Sequence, residues 1–404
     1  MLHTADWHVG KRLGRFDRGD DHQAALDALI DLADAERVDL VLVAGDLFDR
    51  PAPGTTALGR VLDALERLAR PTRPVVAIAG NHDSAELFDL LAPLVRDRHI
   101  HLLGEARDPA AGGAVDLRAG DAPVRIACVP FVRRGRVLDF ARDHDAWGPD
   151  YGDRMRAIFA RHRAHLASAP ADAHRLLTAH LTVHGAVLRG GVRGERPLHL
   201  TDAYAAAPDA VAGEAIGYVA LGHIHAPQSL DAVDAPCRYA GSPLALDFGE
   251  ADEPKGAVIV ELDDDDPRAA TDVRFVPFTA GRPLVRARGR WDALDARDDL
   301  DDAYLDLTVE TDGPDPGLAD RARARFARVA HVRADYPRAE AAPSSAAEAD
   351  APQPWDARYA AFYRAQHGVD PEPALLDAFR AIAEAADAAA DGGDPEEARA
   401  HASA

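Results

Sequence analysis

Five short apolar runs in this chain each stop at a side chain able to bind metal, and that repetition restricts the fold more than any other feature. They are LHTADWH (residues 2–8), VDLVLVAGD (38–46), VVAIAGNHD (75–83), LLTAH (176–180) and YVALGHIH (218–225). Short β-branched runs of this kind suit strands of a sheet covered on both faces. In such sheets the ligand crevice lies beyond the strand ends, so residues just past five strands can meet there. The converging set is Asp6, His8, Asp46, Asn81, His82, His180, His223 and His225. Carboxylates, imidazoles and a carboxamide in that number are too many for one divalent ion and suit two. Asp46 follows Gly45 in a tight turn, and a carboxylate with two oxygens is a natural bridge between ions roughly 3.5–4 Å apart.

Patterns between the runs agree with an α/β class. Leu58, Val61, Leu62, Leu65 and Leu68 fall at helical spacing after Thr55, the expected cap, and Ala25, Leu26, Leu29, Ile30 and Ala33 mark an earlier helix. Further strands are expected at 123–130, 175–179, 216–221, 236–240 and 256–262. The expected architecture is a two-sheet sandwich with flanking helices. At 404 residues the chain is long enough for two or three folded units. The acidic run 263–266 with Pro267 predicts a boundary, giving a metal-binding domain at 1–266 and a small α+β domain at 267–338. Residues 339–354, rich in Ala, Ser, Pro and acid, read as a disordered linker, and 391–404 as a disordered tail.

Between them, 355–390 predicts paired amphipathic helices. Trp355, Tyr359, Phe362 and Tyr363 share one face; Leu375, Leu376, Phe379 and Ile382 share the next. Two such helices cannot bury both faces on each other, which points to docking on another protein, with packing on the parent domain as the alternative.

A formal net charge of −22 argues against a protein that coats polyanions with its whole surface, but leaves room for a local basic groove. From Ala339 onward 13 acids face 4 bases, so part of the acidity is peripheral. Candidate phosphate contacts are Lys11, Arg12, Arg15 and Arg18; Arg133, Arg134 and Arg136; and Arg189, Arg193 and Arg196. Cys128 and Cys237 are expected as buried free thiols, and His99, His101 and His184 as bystanders. No run approaches the roughly 18 apolar residues of a membrane span. Nor do the first residues show a signal pattern, so a cytoplasmic protein is expected.

The order Asp6-x-His8, Gly45-Asp46-x-x-Asp49, Gly80-Asn81-His82-Asp83, His180 and Gly222-His223-x-His225 resembles that of the calcineurin-like metallophosphoesterases. LHTADWHVG, VAGDLFD, AGNHD, LGHIH and Tyr239-Ala240-Gly241-Ser242-Pro243 are similar, further, to the double-strand-break repair nucleases of that superfamily. This likeness spans the chain, because that family also has a small capping domain and C-terminal helices. It implies one ion on Asp6, His8, Asp46 and His225, and a second on Asp46, Asn81, His180 and His223. The family uses Mn²⁺, while the ligand types also permit Mg²⁺, Fe²⁺ or Zn²⁺. By the same resemblance His82 is the catalytic histidine, stabilising phosphoryl oxygens or protonating the leaving 3′ oxygen, and Asp83 is its orienting acceptor. Asp49 stands where some relatives carry a second active-site histidine.

The implied activity is that of a DNA nuclease: 3′–5′ exonuclease on double strands and endonuclease on single strands and hairpins, serving repair, recombination and replication. The implied partners are DNA and a coiled-coil ATPase bound through 355–390, in a heterotetramer built on a nuclease homodimer near the nucleoid, away from membranes. Two divalent ions would offset the phosphodiester's charge and acidify water for in-line attack. A small-substrate phosphatase or phosphodiesterase is the rival reading, although it needs neither a capping domain nor paired helices. A non-catalytic scaffold would require a broken site, and every expected ligand is present.

Overall fold

The computed structural model describes residues 1–133, 151–187, 205–213, 215–337, 355–367 and 370–380. Strand β4 (Val41–Val43) shows how the apolar runs are used. Val41 and Val43 point to one side and Leu40, Leu42 and Ala44 to the other, and all are buried. A strand apolar on both faces must lie between two layers. Burying each such Val or Leu contributes roughly 1.5–3 kcal/mol.

The first sheet runs β16 (Ala270–Pro277), β15 (Gly256–Leu262), β1 (Leu2–Thr4), β4, β5 (Val75–Ile78) and β6 (Ile100–Leu103). Its last four strands are parallel, and the crossovers between them are α1 (Gly19–Ala35), α2 (Thr55–Leu68) and α3 (Ala85–Val95), packed on the outer face. The second sheet runs β13 (Gln228–Ser229), β14 (Cys237–Tyr239), β12 (Tyr218–Gly222), β9 (His174–His180), β8 (Ala122–Val129) and β7 (Ala114–Ala119). Here β14, β12, β9 and β8 are parallel, backed by α4 (Tyr151–Ala167) and α5 (Pro208–Val211). Leu42, Val76, Ile78, Ile126, Leu176, Ala220 and Val258 fill the space between the sheets, giving the expected sandwich. Two short pairs, β2 (Arg12–Leu13) with β3 (Phe16–Asp17) and β10 (Thr182–Val183) with β11 (Ala205–Ala206), complete this body. Cys128 and Cys237 are free and buried, and burial raises both thiols.

Three expectations change. Gly54, in extended backbone, takes the cap position of α2, so Thr55 is the first helical residue and its side chain caps nothing. The boundary drawn at 266 also moves, because β16 pairs antiparallel with β15 and belongs to the first sheet. The acidic run is the hairpin turn between them: Asp263 Oδ1 accepts from the backbone of Asp265 (2.9 Å) and Asp266 (3.3 Å), an Asx turn rather than a border.

The capping sheet follows as β17 (Leu284–Arg290), β18 (Tyr304–Glu310) and β19 (Val329–Asp335), all parallel, with α6 (Trp291–Asp295) and α7 (Leu318–Arg325) between them. This is a βαβαβ unit where an α+β pattern was expected. It meets the sandwich at a cluster of Leu13, Phe248, Leu284 and Tyr304.

The chain divides into two units, Met1–Tyr336 and Pro337–Ala404. In the second, α8 (Trp355–His367) is followed by helical residues 373–380. Tyr359 stacks on Phe379 with ring centroids 4.3 Å apart, and Arg380 pairs with Asp356 at 2.8 Å. Residues 339–354, Ile382 and the segment 391–404 lie outside the described residues. No helix among the described residues is long and apolar enough to cross a membrane.

Candidate metal centre

Ligand loops leave their strands through left-handed backbone. Among the described residues, positive φ at non-glycine positions occurs at Asp6 (54°), His8 (45°), Asp46 (53°) and His223 (96°), and otherwise at Arg37 and His99. Such backbone costs roughly 1–3 kcal/mol per residue and persists where the surroundings over-determine it. Neighbouring loops are laced together here: Asp6 N donates to Gly45 O (2.9 Å), His8 N to Asp46 O (3.0 Å) and Val9 N to Leu47 O (3.0 Å). Two glycines make room for ligands. A Cβ on Gly45 (φ 95°) would lie 2.2 Å from His180 Nδ1, and one on Gly80 would lie 2.1 Å from Asp46 Oδ1.

Three groups of candidate ligand atoms result: Asp6, His8 and His225; Asp46, His180 and His223; and His8, Asp49 and His82. Within each group the atoms lie within 4.8 Å of one another. Asn81 Oδ1 joins the second group, 3.1 Å from His180 Nε2 and 2.8 Å from His223 Nδ1. Asp46 stands between the first two, with Oδ2 3.5 Å from His8 Nε2 and 3.3 Å from His180 Nε2. Its Oδ1 accepts from His82 N at 2.8 Å. The seven expected ligands therefore share one crevice with His82 and Asp49, whereas His99, His101 and His184 fall outside all three groups.

The donor set fits divalent cations. His8 is 1% exposed, yet neither ring nitrogen makes a hydrogen bond. Burial without a partner is costly for an imidazole, and a cation would supply the missing partner. His180 donates Nδ1–H to Ala44 O (2.7 Å), which leaves Nε2, beside Asp46, as the nitrogen where a cation would take the place of a proton. His82 likewise donates Nδ1–H to Asp49 O (2.9 Å).

Proton affinities in the crevice are pushed apart. Burial lifts Asp6 to about 6 against the pull of His180 and His225. Burial, reinforced by the charge of Asp46, lifts Asp83 to about 7. For Asp46 burial acts upward too, but His180, His8 and His82 outweigh it and hold the carboxyl well below its usual range. Burial would lower His180, yet Asp46 and Asp6 carry it up to about 9. Acids and imidazoles this crowded mark a functional site, and bound cations would settle their charge.

Residues 1–227 match the profile of the calcineurin-like phosphoesterases. This chain belongs to that family. It is a metal-dependent hydrolase, and its relatives include proteins named as subunits of the nuclease SbcCD. The one from Bacillus subtilis is 31% identical over 322 residues, covering 76% of this chain and 78% of the relative. That of Rhodobacter capsulatus is 32% identical over 300 residues, 71% of each chain. The Escherichia coli K12 protein is 28% identical over 335 residues, covering 77% of this chain and 78% of the relative.

Within this phosphoesterase some expected roles shift. Asp83 makes no hydrogen bond to His82. Its carboxylate accepts from the backbone of Leu47 (3.2 Å), Phe48 (2.9 Å) and Gly80 (2.9 Å), tying the loop after β4 to the loop after β5. The His82 ring donates instead to the Asp49 carbonyl. Arg18 is buried, donates Nε–H to Asp21 (3.2 Å) and lies over the Tyr304 ring at 5.3 Å, so it supports the capping sheet rather than contacting phosphate. Lys11 Nζ lies 3.2 Å from Asp49 Oδ1, and Arg133 Nη2 donates to Asn81 O at 3.4 Å, so both stand at the rim. Arg12 and Arg15 belong to the β2–β3 hairpin. Arg134, Arg136, Arg189, Arg193 and Arg196 lie outside the described residues.

Two neighbours escaped the sequence reading. Phe131 packs against the rings of His180 (6.2 Å) and His223 (5.8 Å). Glu250 accepts from His225 Nδ1 at 2.7 Å. Burial would raise Glu250, but His225 and Lys255 hold it well below the usual carboxylate range. In sequence it sits in the acid-rich GEADEPK, which reads as surface; the signal available was its place shortly after Gly241-Ser242-Pro243.

Proposed function

We propose that this chain is a two-metal DNA nuclease that works with an SbcC-type ATPase in DNA end processing, repair and recombination. One observation carries the reading: ligands from five strand ends form two groups with Asp46 between them, in a chain whose relatives are named as nuclease subunits. Asp6, His8, Asp46 and His225 would hold one cation, and Asp46, Asn81, His180 and His223 the other. Mn²⁺ is the proposed ion, in keeping with mixed nitrogen and oxygen donors. When bound, the pair supplies Lewis-acid neutralisation of the phosphodiester and acidifies water.

The chain's own residues do the rest. His82, its Nδ1–H fixed on the Asp49 carbonyl, would use Nε2 to hold a proton for the leaving 3′ oxygen. Asp83 keeps the Asp46 and Asn81 loops in register. Lys11 and Arg133 at the rim would bind flanking phosphates of the strand. Residues 355–390 would dock on the ATPase, in a heterotetramer built on a nuclease homodimer in the cytoplasm.

The test compares end-labelled linear duplex, hairpin DNA and p-nitrophenyl phosphate, each with Mn²⁺ or with chelator, and with or without the ATPase and ATP. Metal-dependent cleavage of both DNAs, leaving 5′-phosphorylated products, is expected. Cleavage of the small ester alone would select the small-substrate reading instead.

A further inference from the structure

We propose that Glu250 is a positioning residue of the metal centre: its carboxylate fixes the His225 imidazole so that Nε2 faces the cation shared with Asp6 and His8. The proposal rests on the metal-centre reading above and adds a residue that the ligand motifs do not contain. His225 is the ligand with the most need of such help. Its side chain is 31% exposed, whereas that of His8 is 2% exposed and that of His180 fully buried. A ring at the rim can turn about its χ2, a soft torsion, unless a partner holds it. The His225 Nδ1–H bond to Glu250 Oε1, at 2.7 Å, fixes both the ring and its tautomer.

Glu250 is itself held firmly enough to act as a reference point. Its Oε2 accepts from Lys255 Nζ (2.7 Å), Leu246 N (3.0 Å) and Ser242 Oγ (3.3 Å). Lys255 also donates to Ser242 Oγ (2.9 Å) and to the carbonyl of His225 (3.1 Å). One ammonium therefore grips the backbone of the ligand and the carboxylate that holds its ring. The contrast with the other imidazoles is chemical: His180 and His82 are oriented by neutral carbonyls, His225 by a charged acceptor that increases its donor strength. The turn carrying Glu250, Phe248–Glu250, buries Phe248 against Leu13, Leu284 and Tyr304. Seating of the capping sheet thus reaches a metal ligand through three consecutive residues.

The experiment is a calorimetric titration of Mn²⁺ into the full chain after chelator treatment. The native chain should show two binding events. Glu250→Gln should weaken one of them by about 10–100-fold and leave the other unchanged. Because that change strips Lys255 of its closest acid, the double variant Glu250→Gln/Lys255→Met is titrated beside it, with folding checked by thermal melting. In the double variant the melt should recover while the weakened event stays weak, an outcome that a purely architectural ion pair would not produce. Native affinity for both ions in either folded variant would overturn the proposal. A native chain that binds no Mn²⁺ would instead overturn the metal-centre reading, and this assignment with it.

Discussion

Asp46 is the residue on which the two candidate groups meet, since the same oxygen lies within 3.5 Å of His8 Nε2 and 3.3 Å of His180 Nε2. Removing that carboxylate should therefore cost both ions rather than one. In Asp46→Ala, Mn²⁺ saturating the native chain should leave neither event in calorimetry; one surviving event would show that the carboxylate is not shared. His82 differs, because the backbone of Asp49 orients it and the two four-ligand sets do not use it. For His82→Ala, metal content should stay at the native level while hairpin cleavage falls by roughly 10²–10⁴-fold, the usual size of a lost general acid. A parallel loss of metal would make His82 a ligand, through its group with His8 and Asp49. At this scale the candidate ligands were legible because each closely follows an apolar run of strand length and β-branched composition. The backbone-holding role of Asp83 and the presence of Glu250 were not. Two of the amides that Asp83 holds lie 35 and 36 positions away and the imidazole that Glu250 holds lies 25 away, and no local pattern announces a carboxylate that serves so distant an amide or imidazole.

Strands and helices were legible for a similar reason: apolar spacing dictates what is buried, both faces of β4 and one face of α1. The error at β16 came from an acid–Pro run that signals a turn and a border equally well, and only pairing with β15 decides between them. The two-layer arrangement also buries a titratable group away from the crevice. His3 on β1 is fully buried, with Nδ1 2.9 Å from the Tyr218 hydroxyl on β12, and burial drives it down to about 3. The unfolded chain takes up this proton near 6.5, which the folded chain refuses until about 3. The stabilisation from neutral His3 is thus complete above pH 6.5 and is lost as the pH falls toward 3. Urea midpoints at neutral and mildly acid pH, taken for the native chain and His3→Gln, should show a smaller acid loss in the variant. His22 and His162, also lowered by burial, remain in both proteins, so the difference isolates His3. Parallel losses would assign the acid sensitivity elsewhere.

At the scale of the whole chain, the division at Tyr336–Pro337 separates what the metal centre needs from what the terminal helices offer. Every candidate ligand, both sheets and the capping strands lie within Met1–Tyr336. In the second unit Tyr359 and Phe379 satisfy each other by stacking, but Phe362 remains 60% exposed and Leu375 37% exposed. The sequence expectation that two short helices cannot cover both apolar faces thus has a concrete form: side chains large enough to anchor a partner helix are left in water. A chain ending at Tyr336 should keep the native melting temperature and two Mn²⁺ binding events. It should lose retention of the SbcC-type ATPase in a pull-down that the full chain passes. Phe362→Asp in the full chain should reproduce that loss without truncation, because a carboxylate cannot be buried unpaired in an apolar interface. Retention by both altered chains would move the docking surface into the first unit; retention by the Phe362 variant alone would leave it on the second but away from that ring.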